Sequence, residues 1–196
     1  MAHLKPLSRD THPQFKERFD HYESTRGFIP NSILTMQRRP EIASAFMALN
    51  KAVLYEGNVS EELKMLISLI ASQAAGCRYC QAHMANLSKI YSASDEKIRA
   101  VWEFQLSPLF NDAERAALQL AYHASLVPNQ STEADFDAVK VHFSGDEIVE
   151  IVASIALFGY LNRWNDTMAT DLEEHALNVA KDSLSAVGWE AGKHSS

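Results

Sequence analysis

Ser60-Glu61-Glu62-Leu63-Lys64-Met65-Leu66-Ile67-Ser68-Leu69-Ile70-Ala71-Ser72-Gln73-Ala74 is the stretch whose reading decides the fold. Leu63, Leu66, Ile67, Ile70, Ala71 and Ala74 recur at helical spacing and put one apolar stripe inward. Ser60 is a suitable cap, and the two glutamates after it complement the positive end of the helix dipole. Working outward, the same grammar repeats. Asn111 with Glu114, Ser144 with Glu147, and Thr170 with Glu173 each set a cap acceptor three residues ahead of a glutamate. Ile148, Ile151, Val152, Ile155 and Phe158 form a second apolar stripe, while Ala116, Ala117, Leu120 and Ala121 suit close helix contact. No segment alternates apolar and polar residues between hairpin turns. The chain reads as all-α, with helices near 10–26, 40–56, 61–75, 78–91, 95–105, 112–125, 132–143, 146–163 and 171–183. Gly27-Phe28-Ile29-Pro30-Asn31 reads as a turn into one more short helix before Pro40.

With 196 residues, 46% of them hydrophobic, the chain can bury a core without a disulfide scaffold. The simplest partition is an N-terminal helical arm over 1–27, one domain over 28–183 and a polar tail over 184–196. From Gly188 onward that tail is polar apart from Trp189 and reads as loosely held. A net charge of −7 with no basic stripe argues against nucleic acid. No stretch reaches the ~20 apolar residues of a membrane span, and the first residues lack a secretory signal, so the cytoplasm is the expected location.

Just after the deciding stretch stands Gly76-Cys77-Arg78-Tyr79-Cys80-Gln81-Ala82-His83, which holds the only two cysteines. Gly76 can end one helix and let the next begin near Cys77. On that helix Cys77, Cys80 and His83 step about 60° apart and share an arc of about 120°. Thiols in a first turn feel unpaired amides and the helix dipole, which favour thiolate and bring the pKa down toward neutrality. His83 can then accept the Cys80 proton. Thiol redox chemistry follows, with Cys80 attacking an electrophile and Cys77 closing a disulfide that an external dithiol reopens. The bland alternative is a pair of buried small hydrophobes. Zinc would need distant histidines such as His123. Gln81 stands where the axial histidine of a c-type haem motif would follow. No cofactor is expected.

The stretch from Ala75 to His83 resembles the signature of the carboxymuconolactone decarboxylase and alkylhydroperoxidase D-like superfamily. Gly27 to Asn31 followed by Arg39-Pro40-Glu41, and Phe158 to Asp166, resemble that family's opening segment and late helix. The resemblance implies an AhpD-like helical bundle, a homo-oligomer, and a thiol peroxidase in which Cys80 attacks peroxide and Cys77 resolves. Two departures stand out. The family glutamate twelve residues before the first cysteine is Met65 here, and the family histidine position is Met84, with His83 one place earlier. Glu62, one turn before Met65, is a partial substitute or simply a solvated first-turn acid. Tyr79 is a candidate for hydrogen-bonding the substrate or for packing. Asn162, Trp164, Asn165 and Asp166 read more readily as a helix end than as a pocket wall. Two rival functions remain: a lyase acting on a small lactone acid, and a non-catalytic helical oligomer with buried cysteines.

Overall fold

The computed structural model describes residues 1–195; Ser196, the last residue of the expected tail, lies outside them. The described residues contain ten α-helices and no strand. In chain order these are α1 (Lys16–Arg26), α2 (Asn31–Met36), α3 (Pro40–Leu54), α4 (Glu61–Ala74), α5 (Arg78–Ile90), α6 (Asp95–Arg99), α7 (Asp112–Ser125), α8 (Glu133–Lys140), α9 (Gly145–Met168) and α10 (Glu174–Leu184). The all-α reading holds. No helix of the described residues is long and apolar enough to cross a membrane.

α4 is the hub, packed against α5, α7 and α9. Ser60 caps it as expected, its hydroxyl accepting from the Leu63 amide. Yet every residue from Leu63 to Ser72 is buried, so the helix has no solvated face there. Its polar residues survive burial because each finds a partner. Ser68 and Ser72 donate back to the carbonyls of Lys64 and Ser68 at 2.7 Å. Lys64, 1% exposed, places Nζ 2.8 Å from the Glu150 carboxylate of α9 and donates to the Glu56 carbonyl. Glu150 also accepts from the amides of Asn58 and Val59, which locks the α3–α4 loop to α9. Gly57 in that loop has φ +98°, and a Cβ there would lie 2.3 Å from the Glu150 carboxylate. Only glycine fits.

The capping boxes at Asn111/Glu114 and Ser144/Glu147 form, as does one at Thr132/Asp135 that the sequence reading passed over. The Thr170/Glu173 box does not. Glu173 itself occupies the N-cap of α10, and its carboxylate turns elsewhere. α9 runs on to Met168, past the residues read as its end. Asn162 and Asn165 do not break it because their side-chain amides bond to other helices, leaving the α9 backbone ladder alone. The first expected helix begins later, at Lys16, after two short 3₁₀ turns, the second opened by Pro13. Helix 95–105 splits into α6 and a 3₁₀ turn over Ala100–Glu103.

The C-terminal segment departs from the loosely held reading. Trp189 is buried and its indole N–H donates to the Arg78 carbonyl at 3.3 Å. His194 is buried too, with Nδ1 2.8 Å from the Thr170 carbonyl oxygen. Two aromatic side chains in an otherwise polar run are enough to dock it over the start of α5.

Candidate active site

Gly76 adopts φ +76° just past the C-terminus of α4, a left-handed turn that glycine takes without penalty. The chain then reverses into α5 with Cys77 at the N-cap, its sulfur 3.4 Å from the Cys80 amide nitrogen that donates to it. Both cysteines are free and buried. Cys80 occupies the first turn, and Asn165 of α9 places its side-chain nitrogen 3.5 Å from the Cys80 sulfur. The expected drop in thiol pKa is not found at Cys80. Burial pushes that thiol well above its usual value, the hydrogen bond and charge of Cys77 push the same way, and the Asn165 amide opposes them only in part. Loss of solvation outweighs the helix dipole at this depth, so Cys80 rests as a protonated thiol.

One turn along α5, His83 Nε2 lies 2.6 Å from Glu173 Oε2, and both side chains are about nine-tenths buried. The other carboxylate oxygen, Oε1, accepts from the Tyr79 hydroxyl at 3.0 Å and from the Asn31 amide. Burial pushes the Glu173 carboxyl up, but His83 beside it and the amides of Asn31 and Glu173 outweigh that, and it sits below the usual carboxylate range. Burial and the neighbouring Glu173 charge push the Tyr79 phenol well above 10.0, so it stays a donor. Tyr79 stacks on the His83 ring at 4.3 Å and 23°, while Phe28 meets the same ring edge-on at 5.5 Å and 90°. The imidazole is held by two aromatic contacts and one carboxylate, which fixes its orientation.

Cys80 and His83 face a cavity of about 40 Å³ walled by Tyr22, Phe46, Tyr79, Phe158, Leu161 and Asn165 among others. That volume holds one or two water-sized groups. Asn165 Oδ1 is buried and has no partner, which leaves an acceptor free beside Cys80. The arrangement therefore sets a buried thiol and a carboxylate-held imidazole around one small cavity.

The structure brings Cys77, Cys80, His83 and Tyr79 together. It does not bring Glu62 to them: Glu62 pairs with Lys97 at 2.7 Å, and the same ammonium reaches Glu114 at 2.5 Å. Met65 is buried in α4 and carries no carboxylate. Glu173 was missed, because ninety residues separate it from His83 and the only local signal, Thr170 three residues earlier, pointed to a cap. Asn165 belongs to the cavity wall, the reading of the 162–166 segment that had been set second. His123 sits apart, bonded to Asp135 at 3.0 Å and to Gln119. Among the described residues no three His, Cys, Asp or Glu side chains gather as a metal site.

Residues 40–123, from α3 to α7, match the model of the carboxymuconolactone decarboxylase family. The cysteines and His83 lie inside that span, and Asn165 and Glu173 lie beyond it. The fold superposes on a cysteine-to-alanine variant of the debrominase Bmp8 in complex with 2,3,4-tribromopyrrole with a TM-score of 0.87, at 36% identity, covering 93% of this chain and 97% of that one. An alkylhydroperoxidase AhpD core protein from Ralstonia eutropha superposes with a TM-score of 0.75 at 26% identity, covering 84% and 88%. The Escherichia coli protein YnjA is 30% identical over 106 residues, 54% of this chain and 58% of that protein's length. With the helical bundle of the AhpD-like proteins and a relative matched almost end to end, the chain belongs to the carboxymuconolactone decarboxylase family.

Proposed function

We propose that the protein is a thiol-dependent oxidoreductase of the peroxidase type, reducing a small electrophile at Cys80 and closing a Cys77–Cys80 disulfide. One observation carries this reading: Cys80, whose amide donates to the Cys77 sulfur, and a carboxylate-held imidazole line the same cavity. His83 takes the Cys80 proton, and Glu173 stabilises the imidazolium that forms. The thiolate attacks the distal oxygen of a peroxide, the O–O bond breaks, and His83 returns the proton to the departing alkoxide. Cys80 is left as sulfenic acid. Cys77 condenses with it, releasing water and forming the disulfide, which an external dithiol reduces. Glu173 fills the role that Met65 vacates, from the other end of the chain. The lactone-lyase reading is disfavoured because both sulfurs would then be idle beside the base.

A second acceptor has specific support. The near end-to-end likeness to Bmp8, seen in complex with 2,3,4-tribromopyrrole, favours a halogenated aromatic whose halogen end alone enters the small cavity at Cys80. In that case the Cys80 sulfur takes the halogen from carbon, the carbon takes a proton, and Cys77 displaces halide to give the same disulfide. A homo-oligomer is part of the proposal too: α9 leaves Val149, Val152 and Tyr160 exposed, and α3 leaves Ile42 and Leu49 exposed, apolar side chains that a second copy could cover.

Stopped-flow reaction of reduced protein with hydrogen peroxide, an organic hydroperoxide and 2,3,4-tribromopyrrole tests both. Wild type should lose two thiols per acceptor reduced, Cys77→Ser should stop after one turnover, and Cys80→Ser should not react. Equal rates in Cys80→Ser and wild type end the proposal. Reaction with the bromopyrrole alone selects the second acceptor.

A further inference from the structure

The Cys80 cavity has a polar throat. Tyr22, Arg26 and Asn50 line it, and the same three residues line a surface groove of about 580 Å³ between α1, α3 and the start of α4. The groove and the cavity thus adjoin at these three residues, and a path from solvent to the sulfur would open between them. Its arginine stands apart from the other partly buried arginines, Arg9 and Arg115. Arg26 is half-buried, donates one hydrogen bond to the Tyr55 hydroxyl and lies 4.8 Å from the Tyr22 ring centroid, yet among the described residues no carboxylate forms an ion pair with it. Arg9 and Arg115, by contrast, each hold acidic partners. A guanidinium offers five N–H donors in a planar fork suited to a carboxylate, and most of those on Arg26 are unspent. A partly desolvated cation without a counter-ion gains one when a ligand brings it.

Size points the same way. A groove of that volume is far larger than a peroxide needs and falls in the range of small-molecule sites, whereas the cavity beyond it admits only the reacting end. Resting on the thiol chemistry proposed above, we infer that the groove is the substrate entrance and that Arg26 binds the carboxylate of a small organic acid whose reducible group reaches Cys80. Arg18 and Lys51 add positive charge along the groove. Glu17 and Glu61 offset part of it, and Lys51 is engaged by Glu56 at 3.2 Å. Arg26 at the throat is thus the cation a ligand meets last and closest to the sulfur.

Alkylation reads this without requiring turnover. Reduced protein is treated with iodoacetate or iodoacetamide, and Cys80 labelling is followed by mass spectrometry, with the ratio of the two rates compared against the urea-unfolded chain. The native ratio should favour iodoacetate by about tenfold over the unfolded one, the size expected of one partly screened charge near the path. Arg26→Gln should bring the ratio down to the unfolded value, Arg26→Lys should keep most of it, and Arg163→Gln, which removes an equal charge elsewhere, should not move it. An unchanged ratio in Arg26→Gln overturns the inference. So does loss of the preference in Arg26→Lys, which marks a structural role, or labelling no faster than global unfolding, which means the throat is closed. Charge-selective labelling in a protein that reduces no acceptor defeats the thiol-oxidoreductase reading alone; turnover without charge selectivity defeats only this one.

Discussion

Two largely buried carboxylates, Glu150 and Glu173, are built differently. Glu150 meets Lys64 and two backbone amides, so its oxygens are occupied, and it does not line the Cys80 cavity. Glu173 meets His83, Tyr79 and the Asn31 amide, and the imidazole it holds faces a cavity with a thiol. Both carboxyls sit below the usual range: for each, burial pushes up and is outweighed by the partner side chain, Lys64 or His83, and by backbone amide donors. The lesson lies in the partner. A lysine cannot give up its proton cheaply near neutrality, so the first pair is a strut. A histidine can, so the second is equipped to move one.

Breaking the strut should have the largest effect on stability. Lys64→Met leaves Glu150 facing a hydrophobic hole and should cost about 3 kcal/mol, read as a lower urea midpoint. The rate per folded molecule should not change; a drop would mean the strut also shapes the site. Glu173→Gln inverts that pattern. It keeps the shape and removes the charge that steadies the imidazolium, so thiol reactivity should fall by about a hundredfold, while the urea midpoint should move much less. A midpoint shift as large as that of Lys64→Met would make Glu173 a second strut. Gly57→Ala sits between them: its methyl would be forced into the Glu150 carboxylate from a left-handed turn, and about 2 kcal/mol should be lost.

How much of this was legible follows the same division. Helical spacing and caps exposed α4, α7 and the start of α9, because those signals are local. The cysteine helix was legible for the same reason, since Gly76, Cys77, Cys80 and His83 lie within two turns. What stayed hidden came from contacts between distant segments. Nothing local to Lys64 announces the buried ion pair it makes with Glu150, 86 residues on. Glu173 looked like a capping acid. Asn165 looked like a helix terminator. The raised Cys80 pKa was hidden too, because a dipole is visible in a sequence and the depth that overrides it is not.

The smallest effect concerns pH. Because the Glu173 carboxyl is depressed in the folded state, it adds stability that is fully present above its unfolded pKa of ~4.3 and is lost as pH falls through the lower folded value. Glu150 behaves the same way. Wild type should therefore melt progressively lower from about pH 5 downward, and Glu173→Gln should flatten part of that slope while leaving the Glu150 share in place. Lys64→Met should flatten the other share, since Glu150 then loses the cation that depresses it. The two variants should add when combined, because among the described residues no hydrogen bond or ion pair joins the two clusters. A double variant with the slope of either single one would mean that strut and proton relay titrate together, and the contrast between them would fail.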